Sequence, residues 1–347
     1  MRSTRWIAAA AAAVAIAAGV QSAAYASPAA PARAASTAAK ASYQRGIDLD
    51  FYWYANMKVA AYITAEAKYA RSLGANTVMI SFPFYSSSAV PSAGASTPSP
   101  AVLALAIRTA RAQGLQVGVR PLLDQHNLGG SRVGFVPKNV ATWLSAYAKL
   151  LAPYATAAQQ AGANRFWIGA ELTQIAHNAS WAVVTRAVGN GFKGPGFKGA
   201  VYFSANWVTA NDTKVLPGSG GPGVTVGADA YPTMPYPLSQ LKAQWAARAL
   251  GLPKDTVLSE VGIEALAGAQ YKPYVSEPST RPLVPAVQVD WFNAACNAVV
   301  ADHLGGIYFW SINVGDSLTT KPTSKTPTQF TDAPGATAIK ACFTRLA

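Results

Sequence analysis

Two glutamates occupy the same kind of position in the sequence, because each one closes a short run of apolar residues. Glu171 follows Phe166–Ala170, and Glu260 follows Thr256–Ser259. Near-continuous apolar runs of this length are typical of parallel strands that are buried on both faces. An ionised carboxylate rarely lies beside a core without a partner or a chemical task. Both positions therefore call for an explanation.

A pair of carboxyl groups can hydrolyse a glycosidic bond. One protonates the leaving oxygen while the other, about 5–5.5 Å away in retaining enzymes, attacks the anomeric carbon. We therefore predict that Glu171 and Glu260 face each other across a sugar ring. The structural alternative is a buried ion pair, with Arg120 as a candidate partner. Glu264 is a rival to Glu260, but the pattern places it in a loop beyond the strand.

Eight apolar runs recur along the chain and predict the elements that must position these residues. They start near residues 45, 76, 116, 165, 200, 224, 256 and 306. The spacings mostly suit βα units of about 30 residues or more. We predict an α/β fold, a single-domain (β/α)8 TIM barrel over residues 43–347. The alternative fold is a doubly wound open sheet, which typically has a phosphate-binding, glycine-rich loop after its first strand. This chain has Asp48, Asp50 and aromatic residues there.

In such a barrel the carboxyl ends of the strands meet at one face, where active sites are built. Carboxylates, amides and aromatic rings at those ends suit a carbohydrate, which offers hydroxyl groups for hydrogen bonds and C–H faces for stacking. The residues that we predict to bind substrate are Asp48, Phe84, Arg120, Asn206, Trp207, Asp229, Tyr231 and Trp310. For Asp48, a pairing with Arg120 is an equally good interpretation.

The strand-end segments, taken in order, resemble the retaining (β/α)8 glycoside hydrolases of clan A, and most closely glycoside hydrolase family 113, whose characterised members are β-mannanases. The matching segments are RGID at 45–48, GANTVMISFPFY at 74–85, GLQVGVRPLLD at 114–124, FWIGAEL at 166–172, FSANW at 203–207, GADAYP at 227–232, LSEVG at 258–262 and IYFWS at 307–311.

The resemblance implies a role for individual residues. Glu171 matches the acid/base, Glu260 matches the nucleophile, and the subsite for the reacting sugar is matched by Asn206, Tyr231 and Trp310. Clan A enzymes often have asparagine before the acid/base, where this chain has Ala170. Residues 125–134 and 265–281 show no such resemblance, which leaves the identity of the sugar and the choice between endo and exo action open.

These observations predict a retaining glycoside hydrolase that acts on a polysaccharide or oligosaccharide, and mannan is the first candidate substrate. We expect the enzyme to need no cofactor and no metal. A non-catalytic carbohydrate-binding barrel is the alternative function. A metal-dependent hydrolase is disfavoured because the three histidines are far apart, with no pair at ligand spacing.

The amino-terminal residues predict export. Residues 1–26 combine Arg2 and Arg5, an apolar run and a small-x-small site that ends at Ala26, which is typical of a secretory signal peptide. An Ala/Pro/Ser-rich linker, expected to be disordered, follows at residues 27–42. We expect a secreted monomer without a membrane span, because no later stretch is apolar for the ~20 residues that a spanning helix needs.

Charge and cysteine content fit this expectation. The formal net charge is +13, but the basic residues are scattered singly, so we expect no nucleic-acid partner. The only two cysteines are Cys296 and Cys342, and in an exported protein such an even pair predicts a disulfide.

Overall fold

A computed structural model describes residues 43–87, 89–125, 128, 130–206, 221, 223–249, 251–275 and 279–347. The predicted signal peptide, the linker and Trp207 therefore lie outside the described residues. The strands are β1 (Gln44–Asp50), β2 (Thr77–Ser86), β3 (Pro91–Ser92), β4 (Gln116–Leu123), β5 (Arg165–Ala170), β6 (Ala200–Asn206), β7 (Thr225–Asp229), β8 (Val257–Val261) and β9 (Gly306–Asn313).

Eight of these strands form one closed, parallel barrel. They are hydrogen-bonded in the order β1-β9-β8-β7-β6-β5-β4-β2, and β1 pairs with β2 to close the ring. The short β3 lies antiparallel to the end of β2. The predicted single-domain (β/α)8 TIM barrel is confirmed.

Seven α-helices are described around the barrel: α1 (Val59–Ser72), α2 (Pro100–Ala112), α3 (Val140–Ala161), α4 (Trp181–Asn190), α5 (Leu241–Ala249), α6 (Ala286–Ala301) and α7 (Pro334–Arg345). The two ends of α3 are defined by capping residues. The Asn139 side chain accepts a hydrogen bond from the Thr142 N–H at 2.9 Å, which caps the first turn. The helix ends at Gly162, whose φ of 82° favours glycine.

The interior of the barrel at the amino ends of the strands is filled by aromatic and aliphatic side chains. We call this layer the floor, and it consists of Met79, Trp167, Tyr202, Val257 and Tyr308. Trp167 stacks on Tyr202 with ring centroids 4.6 Å apart and meets Tyr308 edge-on at 5.7 Å.

Glycine on the neighbouring strands gives these rings their space. A Cβ at Gly118 would lie 2.7 Å from the Trp167 ring, and one at Gly46 would lie 2.1 Å from the ring of Tyr308. Since both approaches are too close for any side chain, the floor depends on glycine at these two positions.

A disulfide joins Cys296 on α6 to Cys342 on α7, with the two Cα atoms 5.7 Å apart. Both half-cystines are fully buried. Closing a loop of 46 residues contributes roughly 4 kcal/mol in the chain-entropy model. None of the described helices is both long and apolar enough to span a bilayer.

Candidate active site

Four neighbouring strands bring a row of polar side chains to the same height at their carboxyl ends. Asn206 on β6 is the register partner of Asp229 on β7, and Asp229 is the partner of Glu260 on β8. Glu171 directly follows β5, and its backbone N–H donates to the Ser204 carbonyl on β6 at 2.9 Å. The two candidate carboxyl groups therefore stand at the ends of one continuous row.

Glu171 has a strained backbone and a fully engaged side chain. Its φ of 53° lies in the left-handed region that non-glycine residues rarely adopt. Oε1 accepts a hydrogen bond from Asn206 Nδ2 at 3.0 Å, and Oε2 accepts one from Arg132 Nε at 2.9 Å. The side chain remains 13% exposed. Strain of this kind persists where the surrounding structure holds a residue in place, and it is frequent at active sites.

Glu260 is held from two sides by donors. The Tyr231 hydroxyl donates to Oε1 at 2.6 Å, and Arg120 NH2 lies 2.8 Å from Oε2 as an ion pair without hydrogen-bond alignment. Burial and the Glu260 carboxylate raise the pKa of Tyr231 well above its ordinary value, so the phenol keeps its proton. The Glu260 side chain is 5% exposed.

Small and aromatic residues close the space around Glu260. Gly262 directly follows β8. A Cβ added to this glycine would lie 3.1 Å from the Tyr231 hydroxyl and 3.2 Å from the Trp310 carbonyl oxygen. The half-buried Trp310 ring lies 5.1 Å from the guanidinium carbon of Arg120. Tyr231 and Trp310 are thus brought together beside the carboxylate.

A buried charge cluster centred on Arg120 includes two members of this row. We call it the charged layer, and it consists of Arg120, Asp48, Asp229 and Glu260. The guanidinium is 2.7 Å from Asp48 and 3.2 Å from Asp229, and it also donates to Ser81 at 3.0 Å. Burial disfavours the charge on Arg120, but the three carboxylates outweigh burial and raise its pKa.

One guanidinium cannot neutralise three carboxylates. Burial raises the pKa of Asp48 to about 8, an effect that Arg120 opposes and Glu260 reinforces. Burial and Glu260 also raise the pKa of Asp229 well above its ordinary value. Burial therefore disfavours the charged form of both aspartates, while Arg120 remains the fixed positive charge of the layer.

Three of the residues that we predict to bind sugar are fully buried: Asp48, Arg120 and Asp229 expose no surface. The alternative pairing of Asp48 with Arg120 is observed, at 2.7 Å. In contrast, Asn206, Tyr231 and Trp310 are all partly accessible beside the two glutamates.

Phe84, which we also predict to bind substrate, is buried in the structure. It is 2% exposed and packs against Tyr147 and Trp143 of α3, with ring centroids 4.8 and 6.4 Å apart. Since side chains alternate along a strand, the register that turns Ser81 towards Arg120 turns Phe84 to the opposite, helix-facing side. Phe84 therefore belongs to the core between β2 and α3.

Sequence reasoning missed Arg132, which lies in the loop after β4 and contacts Glu171 directly. A lone arginine in a loop carries no strand or helix pattern. The only available signal was that residues 125–134 depart from the resemblance. Glu264, the rival to Glu260, is buried in the loop after β8 and forms an ion pair with Arg281.

Among the described residues, no group of three or more His, Cys, Asp or Glu side chains could hold a metal ion. The carboxylates of the site pair with arginines: Asp48 with Arg120 at 2.7 Å and Glu171 with Arg132 at 2.9 Å.

Several solved structures share this barrel fold. The GH113 β-mannanase AaManA from Alicyclobacillus acidocaldarius, in complex with ManMIm, matches with a TM-score of 0.70 and 18% identity over 88% of this chain and 98% of that chain. A GH113 β-1,4-mannanase matches at 0.70 and 14% identity over 87% and 99% of the two chains. A GH5-4 broad-specificity endoglucanase from an uncultured bacterium matches at 0.56 and 11% identity over 85% and 94%.

The sequence comparison with curated proteins found no match. The family model of Glycoside Hydrolase Family 113 matches residues 64–330, which is more than half of the chain and includes both candidate glutamates. The chain therefore belongs to glycoside hydrolase family 113 and is a glycoside hydrolase enzyme.

Proposed function

We propose that the protein is a retaining β-glycosidase that hydrolyses a β-linked polysaccharide, with mannan as the first candidate. The observation that carries this proposal is the row that runs from Glu171 to Glu260, with each carboxyl group held by its own set of donors. Mannan is favoured because two similar solved structures are described as β-mannanases.

In the first step Glu260 attacks the anomeric carbon and forms a glycosyl ester. The bond between this carbon and the leaving oxygen breaks, and Glu171 transfers its proton to that oxygen. The Tyr231 hydroxyl, 2.6 Å from Glu260 Oε1, orients the attacking carboxylate. Arg120 NH2, 2.8 Å from Oε2, holds the second oxygen of this carboxyl group from the other side.

In the second step Glu171 removes a proton from a water molecule, which attacks the same carbon. The ester bond to Glu260 breaks, the sugar leaves with its original configuration, and Glu171 has regained its proton. Asn206 donates to Glu171 Oε1 and fixes the direction of the other oxygen. The Trp310 ring, beside Glu260, offers an apolar face for the sugar ring.

Conversion of each glutamate to glutamine tests the proposal. Purified Glu171→Gln and Glu260→Gln variants should each lose hydrolysis of mannan by a factor of about a thousand or more, since each loses a chemical step. Glu264→Gln is the matched control, because it is buried four residues beyond Glu260 and should retain turnover per folded molecule. Full mannan hydrolysis by either of the first two variants would contradict the assignment.

The sugar itself needs a separate measurement. Assays of the purified protein on mannan, glucan, galactan and xylan should give the highest turnover on mannan. Activity on another polymer that both glutamine variants lose would keep the mechanism and change only the substrate.

One observation favours the second candidate function, a carbohydrate-binding barrel without turnover. Arg132 occupies the Glu171 oxygen that would otherwise face a leaving group. Such a protein would bind the polysaccharide with wild-type affinity in the Glu171→Gln variant and would show no hydrolysis in either form. Isothermal titration with mannan oligosaccharides, run beside the activity assay, separates the two functions.

Export is also part of the proposal. The composition of residues 1–26 supports cleavage near Ala26, and a buried disulfide suits an oxidising compartment. Amino-terminal sequencing of the protein from culture medium should start near residue 27, and light scattering should give the mass of a monomer. Retention of the whole chain inside cells would contradict export.

A further inference from the structure

Asp50, the last residue of β1, carries a carboxyl group that the mechanism above leaves without a task. Its Oδ1 atom is buried and has no hydrogen-bond partner among the residues that the structure describes. Asp48 and Asp229 also have one unpartnered oxygen, but each pairs with Arg120 through its other oxygen. A buried acceptor without a donor costs free energy, so its presence at the carboxyl end of a barrel strand calls for an explanation.

Alternation along β1 turns the Asp50 side chain into the barrel. A Cβ at Gly46 would meet the floor ring of Tyr308 at 2.1 Å, and Asp48 pairs with Arg120 in the charged layer. Because successive side chains of a strand point to opposite faces, residues 46, 48 and 50 share the inner face. Asp50 is therefore the next inward side chain beyond Asp48, and it is partly exposed whereas Asp48 is fully buried.

The order of the strands places Asp50 across the barrel mouth from the row that runs from Glu171 to Glu260. In the closed ring, β1 and β6 are four strands apart in either direction, so Asp50 and Asn206 stand on opposite sides of the mouth. The strand between β8 and β1 is β9, which carries Trp310. A sugar that packs on Trp310 while Glu260 attacks it would therefore have Asp50 on its far side.

The donors nearest to Asp50 along the chain and across the sheet are engaged by other carboxyl groups. Tyr52, two residues further on, donates its hydroxyl hydrogen to Asp124 at 2.8 Å. Asn313, the register partner of Asp50 on β9, donates from its side chain to Asp316 at 2.9 Å. The Asp50 carboxyl group is thus available to a donor that comes from a ligand, and the hydroxyl groups of a sugar are such donors.

The electrostatic surroundings of Asp50 fit a position beside the proposed nucleophile. Burial raises the pKa of Asp50 to about 7, the Glu260 carboxylate adds to the rise, and Arg120 and Arg132 oppose it. Glu260 is the charged group that acts on Asp50 most strongly. A hydroxyl group that donates to Asp50 would lower this pKa again, because a hydrogen bond to the charged form favours that form.

We propose that Asp50 is a substrate-binding residue whose carboxyl group accepts a hydrogen bond from one hydroxyl group of the sugar that Glu260 attacks. This inference rests on the proposed function of Glu260 and adds a contact that recognises the reacting sugar. A site that hydrogen-bonds one hydroxyl group discriminates against a sugar that lacks it, because the buried acceptor is then left unpaired. Asp50 therefore contributes to the choice of sugar.

A cycle of enzyme variants and deoxy substrates tests the inference. We would measure kcat/KM for an aryl β-mannoside and its four monodeoxy analogues, with the wild type and with Asp50→Ala. In the wild type, one analogue should lose about tenfold or more in kcat/KM beyond its loss in Asp50→Ala, because only the wild type has the hydrogen bond to lose. The other three analogues should lose equally in both proteins. If the polymer assays identify another sugar, the corresponding deoxy series of that sugar is used.

Two further variants complete the cycle. Asp50→Asn keeps one acceptor oxygen, so it should show the same preference for the same hydroxyl group at reduced size. Glu66→Gln is the matched control, because Glu66 on α1 is also buried, with a pKa that burial raises to about 7 and with one unpartnered oxygen. Its other oxygen accepts from the Gly315 N–H at 2.7 Å, away from the barrel mouth. Glu66→Gln should leave all the deoxy ratios at their wild-type values.

The outcomes separate a contact with substrate from a merely structural role. If the deoxy ratios of Asp50→Ala and Asp50→Asn equal those of the wild type, Asp50 touches no sugar hydroxyl and the inference is overturned, whether or not activity falls. That result would leave the proposed function intact. Full mannan hydrolysis by Glu260→Gln would instead refute the proposed function.

Discussion

The two halves of the barrel interior are filled by different chemistry. At the amino ends of the strands, the floor packs rings and aliphatic groups, and the hydroxyls of Tyr202 and Tyr308 both bond to the side chain of Gln44. At the carboxyl ends, the charged layer places three carboxylates around one guanidinium. The floor has its polar atoms satisfied, whereas Asp48 Oδ1 and Asp229 Oδ2 are buried without a hydrogen-bond partner.

This difference assigns separate roles to the two layers. Burial of apolar rings stabilises the fold, while burial of charges costs free energy unless they are well paired. The charged layer contains Glu260, so this cost is accompanied by control of the proposed nucleophile. We therefore expect changes in the floor to alter stability alone, and changes in the charged layer to alter stability and activity together.

The largest effect is expected from Arg120→Met. It leaves three buried carboxyl groups without their counter-charge, which should lower the free energy of unfolding by about 3–5 kcal/mol and turnover by more than about a hundredfold, the equivalent of 2.7 kcal/mol. Urea unfolding and an activity assay measure the two effects. Arg165→Met is the matched control, because Arg165 donates to Thr77 at the amino ends of the strands. Loss of this hydrogen bond should lower the free energy of unfolding by only about 1 kcal/mol. A stable and active Arg120→Met protein would remove the distinction between the layers.

Trp167→Ala in the floor should destabilise the protein without impairing its chemistry. Removing a fully buried ring that stacks on Tyr202 should lower the free energy of unfolding by about 3–5 kcal/mol. Turnover per folded molecule should stay within about threefold of wild type at a temperature where the variant is folded. A loss of activity with unchanged stability would reverse the roles that we assign.

The third prediction concerns the pH dependence of stability. Burial raises the pKa of Asp50 to about 7, with Glu260 adding to the rise and Arg120 opposing it. The unfolded chain has an ordinary aspartate pKa of about 3.9. Between about pH 4 and 7 the folded state therefore binds more protons, so this stabilisation is present below pH 4 and is lost as pH rises to 7. Asp50→Asn should flatten that part of the stability profile.

A variant in the floor serves as the control for this pH dependence of stability. Tyr308→Phe removes a hydroxyl group whose pKa burial raises above its ordinary value, so it does not titrate between pH 4 and 7. Its free energy of unfolding, measured in urea at a series of pH values, should run parallel to that of the wild type. If Asp50→Asn also runs parallel, the charged end of the barrel is not the source of this pH dependence.

The sequence predicted the barrel well because the buried strands have a recognisable pattern. Each is a short apolar run bounded by turn residues, and the two that end in Glu171 and Glu260 lie within one to two residues of the observed β5 and β8. The closing residues of parallel strands must meet at one face. The prediction that Asn206, Tyr231 and Trp310 line a sugar subsite rests instead on the family resemblance.

Three features could not be predicted, for physical reasons. The side that Phe84 faces depends on the register of β2, which extends to Ser86. The position of Arg132 depends on one 3-10 turn and on side-chain hydrogen bonds across a loop, which leave no periodic pattern. The complete burial of Asp48, Arg120 and Asp229 depends on how the whole barrel packs, which no single strand segment reveals.

The most direct test of the central claim is to trap the proposed covalent intermediate. An activated β-mannoside that carries fluorine next to the anomeric carbon should react with the enzyme and release its product slowly, because the fluorine destabilises the oxocarbenium-like transition states of both steps. Mass spectrometry of the intact protein should show one added sugar, and peptide mapping should place it on Glu260. A sugar on any other residue, or no adduct in a protein that hydrolyses the parent mannoside, would contradict Glu260 as the nucleophile.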